Sequence, residues 1–281
     1  MADYPALDLD FPFNPGTPAF LELLYAHLDD FDPIAIDDTD TGWRVFFRAA
    51  SHRDRARAAL LRLFDDRLND ARCLDVPDER WAERSQARLT PVRVANVVVA
   101  PPWAKPEEPG AHVIIIQPSM GFGTGHHATT RLCLRLLQQV PLAGTTVIDV
   151  GTGSGVLAIA AWMLGASRAL AIDCDPDALN NARENIALNG ATGAIDTVNA
   201  DLGAYSAPPA AVVLANLTSA VLQRHARELR RAVAEPGQLI VSGFAPDELG
   251  EVERAFAVRC AESIVEAGWC AARFSLPPRA S

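Results

Sequence analysis

The chain has 281 residues, 49% hydrophobic content and a formal net charge of −10, enough for two domains with separate cores and a poor electrostatic match to a phosphate backbone. No apolar run reaches the roughly 18 to 20 residues of a membrane span, and Met1-Ala-Asp-Tyr-Pro5 lacks a signal peptide's basic-then-apolar layout, so a cytoplasmic protein is expected. The five cysteines include no C-x-x-C pair, which argues against a disulfide framework or a zinc site.

Residues 1–80 read as a small N-terminal α/β domain of ferredoxin-like type. After an irregular extension over Met1 to Pro18 comes a helix around Phe20 to His27. A strand pair follows around Ile34-Ala-Ile36 and Trp43 to Phe47, turned by Asp40-Thr-Gly42. Arg44, Arg48, Arg53, Arg55, Arg57, Arg62 and Arg67 are interrupted by Asp54, Asp65 and Asp66, while Ala59, Leu60, Leu63 and Phe64 recur near helical spacing. That pattern fits the wet face of an amphipathic helix better than a binding patch. The domain holds no convergent set of catalytic residue types, which points to binding. Residues 81–111 read as a connector containing Trp81, an apolar strand Val92 to Ala100, the stiff Pro101-Pro102-Trp103 and a polar loop over Lys105 to Gly110.

From residue 112 to 281 strands and helices alternate, which predicts a mostly parallel sheet covered by helices on both faces, a Rossmann-like α/β fold. Its strands are expected at Ala169 to Asp173, Ile195 to Asn199, Ala211 to Ala215, Gln238 to Ser242 and Gly268 to Phe274. The last should form an antiparallel edge pair with Ala257 to Cys260 or Ser263 to Val265. The run Asp149-Val-Gly151-Thr-Gly153-Ser-Gly155 closes the strand at Val147-Ile148 and opens the helix beginning Val156-Leu-Ala. Such a turn brings bare backbone and helix N-terminal amides against a ligand. Glycines two apart depart from the G-x-G-x-x-G of dinucleotide sites, and an acid at Asp149 would sit badly beside a pyrophosphate. The spacing and the acid resemble the S-adenosylmethionine motif of class I methyltransferases, whose cofactor carries an ammonium and a sulfonium.

Asp173 falls 22 residues past Gly151 at the end of the next strand, where Rossmann-like folds place the acid that binds ribose hydroxyls. It could instead help cap the following helix, although Asp175 with Pro176 already supplies an N-cap and first turn. Two further elements lie near this site. Met120-Gly-Phe122-Gly-Thr-Gly-His126-His127-Ala-Thr-Thr130 is a glycine-rich loop before a helix over Arg131 to Gln138, with Thr129 or Thr130 as candidate N-caps. The adjacent histidines lack the spacing of metal ligands, so no metal is expected. An apolar strand delivers Asn216 to the sheet's C-terminal edge, where open α/β folds bind ligands.

The runs Phe122 to Thr130, Val147 to Ile159, Ala171 to Pro176 and Ala215-Asn-Leu217, with Pro101-x-Trp103 and Gly268-Trp-Cys270, resemble the PrmA family over residues 90 to 281. That family methylates protein eleven of the large ribosomal subunit. The resemblance implies cofactor contacts at Thr130, Gly151, Asp173 and Asn216, with Gly153, Gly155 and Asp149 completing the turn. Asp201 would hold the adenine amino group, with Asp196 as a nearby alternative. It also implies a lysine or N-terminal amine on a ribosomal protein as acceptor, captured by the N-terminal domain; Asn216 and the loop from Phe122 to His127 are expected to orient that acceptor. Residue matching over the first 80 positions is weak.

In-line methyl transfer requires alignment and exclusion of water more than covalent catalysis, and a lysine ammonium must first lose a proton. No side chain stands out as an obligatory base. Asn216-Leu-Thr-Ser219 replaces the Asn-Pro-Pro-Tyr common in enzymes acting on amide or base nitrogens, which argues against glutamine, adenine or cytosine acceptors. A basic protein suits the acidic chain better than nucleic acid. The alternatives are methylation of another protein or a small amine, and a catalytically silent cofactor-binding module.

Overall fold

The chain divides into two units, Met1–Arg88 and Leu89–Ser281. The structure, a computed structural model, describes residues 3–12, 17–29, 31, 33–39, 41–64, 67–77, 89–118, 125–201, 203 and 208–277.

In the first unit β1 (Asp3–Asp10), α1 (Thr17–Asp29), β2 (Pro33–Thr39), β3 (Gly42–Phe47), α2 (Ala50–Leu63) and β4 (Asp70–Pro77) follow in that order. The sheet runs β2-β3-β1-β4 and every neighbouring pair is antiparallel, the ferredoxin-like arrangement. Leu7, Leu9, Val45 and Phe47 turn one sheet face onto Phe20, Leu24 and Leu28 of α1 and onto Ala56 and Leu60 of α2. The N-terminal stretch expected to be irregular thus contains a strand at the centre of the sheet. Its Leu7-Asp8-Leu9-Asp10 alternation is a strand period, and its partners lie far along the chain. Asp8 stands opposite Arg44 and accepts from both Nε and Nη2, at 2.6 and 2.8 Å. Two arginines of α2 are likewise engaged within the unit, Arg53 with Asp75 at 2.8 Å and Arg57 with the Ala71 carbonyl at 2.7 Å.

The second unit starts with a three-stranded sheet of β5 (Val92–Val94), β6 (Val97–Ala100) and β7 (His112–Ile115). The single strand expected over Val92 to Ala100 is therefore a hairpin, and the expected connector carries ordered sheet from residue 92 onward. Ala95 makes the turn at φ 51 without the glycine that would have marked it. Residues 78–88, Trp81 among them, lie outside the described residues.

The main sheet has seven strands in the order β10-β9-β8-β11-β12-β14-β13. They are β8 (Thr146–Val150), β9 (Arg168–Asp173), β10 (Ile195–Asn199), β11 (Ala210–Asn216), β12 (Val233–Phe244), β13 (Glu262–Glu266) and β14 (Trp269–Leu276). The five strands from β10 to β12 are parallel and β14 runs antiparallel to both neighbours. Helices α3 (Ala128–Leu137), α4 (Val156–Met163) and α5 (Pro176–Leu188) connect the first strands, and α6 (Ser219–Arg224), α7 (Ala226–Ala232) and α8 (Leu249–Phe256) the later ones.

Alternate residues feed separate cores. Val147, Ala171, Val212 and Leu214 pack with α3 and α4, whereas Ile148, Ile172, Val213 and Leu239 pack with the group of α6, α7 and α8. Of the two partners expected for the last strand, Ser263 to Val265 forms the hairpin, turning at Ala267 and Gly268, both with positive φ. Ala257 instead caps α8 in the left-handed region. Strand order reverses between β8 and β11, which opens a crevice at their C-terminal ends. No helix among the described residues is long and apolar enough to cross a membrane.

Candidate functional site

The glycine turn lies on one side of that crevice. Gly151, Gly153 and Gly155 have φ of 67, 53 and 82°, a region that costs other residues roughly 1 to 2 kcal/mol. Space also restricts Gly151, because a Cβ there would come within 2.4 Å of Leu217 Cδ2. The amides of Gly151 and Thr152 donate to the Ile172 carbonyl at 2.9 and 3.0 Å, pinning the turn to the end of β9.

Asp149 is buried beneath the turn. Its Oδ2 accepts from Thr152 Oγ1 at 2.7 Å and from the Ala158 amide at 3.1 Å. Oδ1 has no hydrogen-bond partner among the described residues. Burial pushes this carboxyl up to about 6, against the pull of the two hydrogen bonds and with help from nearby Asp173. A buried carboxylate with an unpartnered oxygen beside a bare-backbone turn suits a ligand that brings positive charge.

Asp173 ends β9 and is held by backbone. One oxygen accepts from the Gly153 amide at 2.9 Å, the other from the Asp175 amide at 3.0 Å. The cap of α5 is Asp175, which accepts from Asp177 N. Asp173 therefore stands outside the capping geometry, with acceptor capacity left on both oxygens. Asp201 follows the C-terminal end of β10 and accepts from the Gly203 amide at 2.7 Å. Asp196 is near the start of the same strand and pairs with Arg168 at 2.6 Å, which takes it away from the crevice.

Across the switch point, β11 delivers Asn216, whose Nδ2 lies 3.5 Å from Thr130 Oγ1, 86 residues earlier in the chain. Thr130 is buried in the first turn of α3. That helix begins at Ala128, three residues before the expected Arg131, and its N-cap is His127 rather than either threonine. His127 Nδ1 accepts from the Thr129 amide at 3.4 Å and lies 2.7 Å from the Thr129 hydroxyl. Burial and the Arg131 guanidinium push His127 down to about 4, so the ring is neutral at pH 7. It meets Trp269 edge-on at 5.2 Å between centroids. Phe122 and residues 119–124 lie outside the described residues.

The structure therefore brings Thr130 and Asn216 together and sets Gly151, Gly153, Gly155, Asp149 and Asp173 on the same sheet edge. Three contacts escaped the sequence reading: Leu217 over Gly151, Trp269 against His127, and an asparagine face on α5. The last had a signal, since Asn181, Asn185 and Asn189 recur at intervals of four.

A family model described as ribosomal protein L11 methyltransferase (PrmA) matches residues 35–275. The chain belongs to the PrmA family. Among PrmA relatives named ribosomal protein L11 methyltransferase, that of Geobacter metallireducens is 46% identical over 171 residues, covering 59% of this chain and 55% of the relative. The Streptococcus equi subsp. zooepidemicus protein is 40% identical over 64% of this chain and 58% of its own length. That of Azotobacter vinelandii is 36% identical over 75% of this chain and 73% of the relative. The match thus spans little more than half of the first two. A solved ribosomal protein L11 methylase from Lactobacillus delbrueckii subsp. bulgaricus superposes with a TM-score of 0.63 at 29% identity, covering 67% of this chain and all of that one. The parallel sheet with its antiparallel β14 is the Rossmann-like fold of the second unit.

Proposed function

We propose that this chain is an S-adenosylmethionine-dependent methyltransferase that modifies lysine side-chain amines, and an N-terminal amine, of ribosomal protein L11 in the cytoplasm. The observation that carries this reading is the meeting of Thr130 and Asn216 beside a glycine turn underlain by a buried, half-partnered carboxylate. Membership of the PrmA family supports it. When bound, S-adenosylmethionine supplies a methyl group on a positively charged sulfur.

The glycine turn gives close backbone approach, and Asp173, oriented by two amides, has lone pairs left for ribose hydroxyls. Asp149 places negative charge under the turn, matching a cationic ligand, and Asp201 is the acid on the crevice side of β10 for an adenine amino group. With Asn216 Nδ2 turned to Thr130, its Oδ1 remains to accept an N–H from the acceptor amine and orient the nitrogen lone pair. His127, held neutral, adds no positive charge to repel that amine. With S-adenosylmethionine bound, its positive sulfur and the loss of water would lower the pKa of the lysine ammonium, which would give its proton to solvent on entry without a dedicated base. Phe122, five positions before His127 in the sequence, belongs by that proximity to the same acceptor-side segment. A basic ribosomal protein is the electrostatic complement of a chain with net charge −10, and no direct nucleic-acid contact is required.

The test is incubation of the purified chain with methyl-labelled S-adenosylmethionine and ribosomal protein L11, followed by amino-acid analysis. Label in methylated lysine is expected. If the protein takes up no label, the proposed reaction is wrong, and label confined to other residues would remove the lysine assignment.

A further inference from the structure

The open edge of β7 is closed by side chains. Ile116 N donates to the Ala100 carbonyl at 2.9 Å on the β6 side, but on the far side no strand among the described residues pairs with residues 115–117. Asn181 and Asn185 of α5, with its C-cap Asn189, fill that place. Asn189 accepts from Ile115 N at 2.8 Å and donates to Ile115 O at 2.6 Å. Two residues on, Asn185 accepts from Gln117 N at 2.7 Å while Asn181 donates to Gln117 O at 3.1 Å. The match is metric: four helical residues rise about 6 Å, close to the roughly 6.6 Å of two extended residues. A helix face thereby imitates a neighbouring strand.

Asn185 has a second engagement. Fully buried, it donates through Nδ2 to the Ser154 carbonyl inside the glycine turn at 2.9 Å and stands 3.3 Å from Asn181 Oδ1. One carboxamide thus holds both Gln117, beyond the end of β7, and the turn over Asp149. We propose that Asn185 is a positioning residue that sets the register between the cofactor turn and the Ile115–Gln117 segment. The inference rests on the methyltransferase reading for its functional half, and on geometry alone for its structural half.

Asn185→Asp, Asn185→Leu and Asn189→Ala provide the test, read by hydrogen exchange of the substrate-free protein and by calorimetric affinity for S-adenosylmethionine. Exchange should quicken together over 115–117 and 151–155 in both Asn185 variants, but over 115–117 alone in Asn189→Ala. Cofactor affinity should fall about tenfold in Asn185→Leu and hold within about twofold in Asn189→Ala.

Asn185→Asp adds a readout that a packing role would not move. Protonated, its carboxyl can accept from Gln117 N and donate to the Ser154 carbonyl, losing only the second donation to Asn181, so the affinity ratio to the wild type should recover in part as pH falls. In Asn185→Leu the ratio should stay flat. Should a variant at 185 fail to fold, Asn181→Ala, which loosens Gln117 from the same side, must still quicken exchange at both segments. The proposal is overturned if the two segments loosen independently in the Asn185 variants, or if Asn185 and Asn189 variants of matched stability lose affinity equally. A wild type that binds no S-adenosylmethionine would sink the methyltransferase reading, while the exchange data would still decide the coupling.

Discussion

Asp149→Asn isolates the electrostatic design of the site. Folded Asp149 holds its proton up to about 6, whereas an unfolded aspartate releases it near 3.8. Between those values the folded state binds more protons, so this group's contribution to stability is fully present below pH 3.8 and is lost as pH rises through 6. Holding the proton up to about 6 instead of 3.8, at about 1.4 kcal/mol per tenfold change in proton affinity, makes the neutral-pH penalty about 3 kcal/mol. In the variant, the carboxamide oxygen can still accept from Thr152 and Ala158, while its NH2 enters the place where Oδ1 has no partner, at a pH-independent cost of about 1 to 3 kcal/mol. Denaturant unfolding from pH 4 to 8 should therefore show the variant gaining about 3 kcal/mol on the wild type as pH rises, whatever the offset. Added S-adenosylmethionine should stabilise the wild type increasingly above pH 6 and the variant to a constant, smaller degree. Parallel pH profiles for the two proteins would refute the claim that a buried charge awaits a cation under the glycine turn.

His127 acts in the opposite sense in the same window. Its folded value of about 4 lies below the ordinary 6.5, so stability is lost as pH falls between them, by up to about 3 kcal/mol. His127→Asn, which preserves a capping side chain, should abolish that dependence in unfolding titrations. Thr130→Val should lower stability by about 1 kcal/mol or less yet weaken S-adenosylmethionine about tenfold by calorimetry. Equal affinity would remove Thr130 from the site. Gly243→Ala combines φ 100° with a Cβ 2.2 Å from the Leu217 carbonyl oxygen, whereas Gly155→Ala combines φ 82° with an ordinary 3.4 Å contact to Ala182. Unfolding midpoints should place Gly155→Ala about 1 to 2 kcal/mol below wild type and Gly243→Ala well beyond that, because backbone cannot move aside as a side chain can.

The glycine turn, the acid that ends β9 and the apolar strands of the main sheet were legible because each is a local pattern dictated by backbone sterics or by burial of both sheet faces. The Val92–Ala100 hairpin was not, since an alanine occupies the left-handed turn position and leaves no composition signal. Strand β1 was missed for another reason: Leu7-Asp8-Leu9 alternates too briefly to stand out until Arg44 and β4 are known to flank it. The cap of α3 went to His127 because a neutral imidazole accepts as a hydroxyl does, a role that only burial and Arg131 establish.

By itself, the sequence determined the Rossmann-like class and the position of the glycine turn at Asp149 to Gly155, together with the residue types at the sheet edge. Tertiary structure alone decided which of them meet. Thr130 touches Asn216 because strand order reverses between β8 and β11, and Asn185 reaches both Gln117 and Ser154 because a four-residue helical repeat matches a two-residue extended one. Neither follows from spacing along the chain, since both depend on which strand becomes a neighbour and on which face of a helix the sheet leaves free.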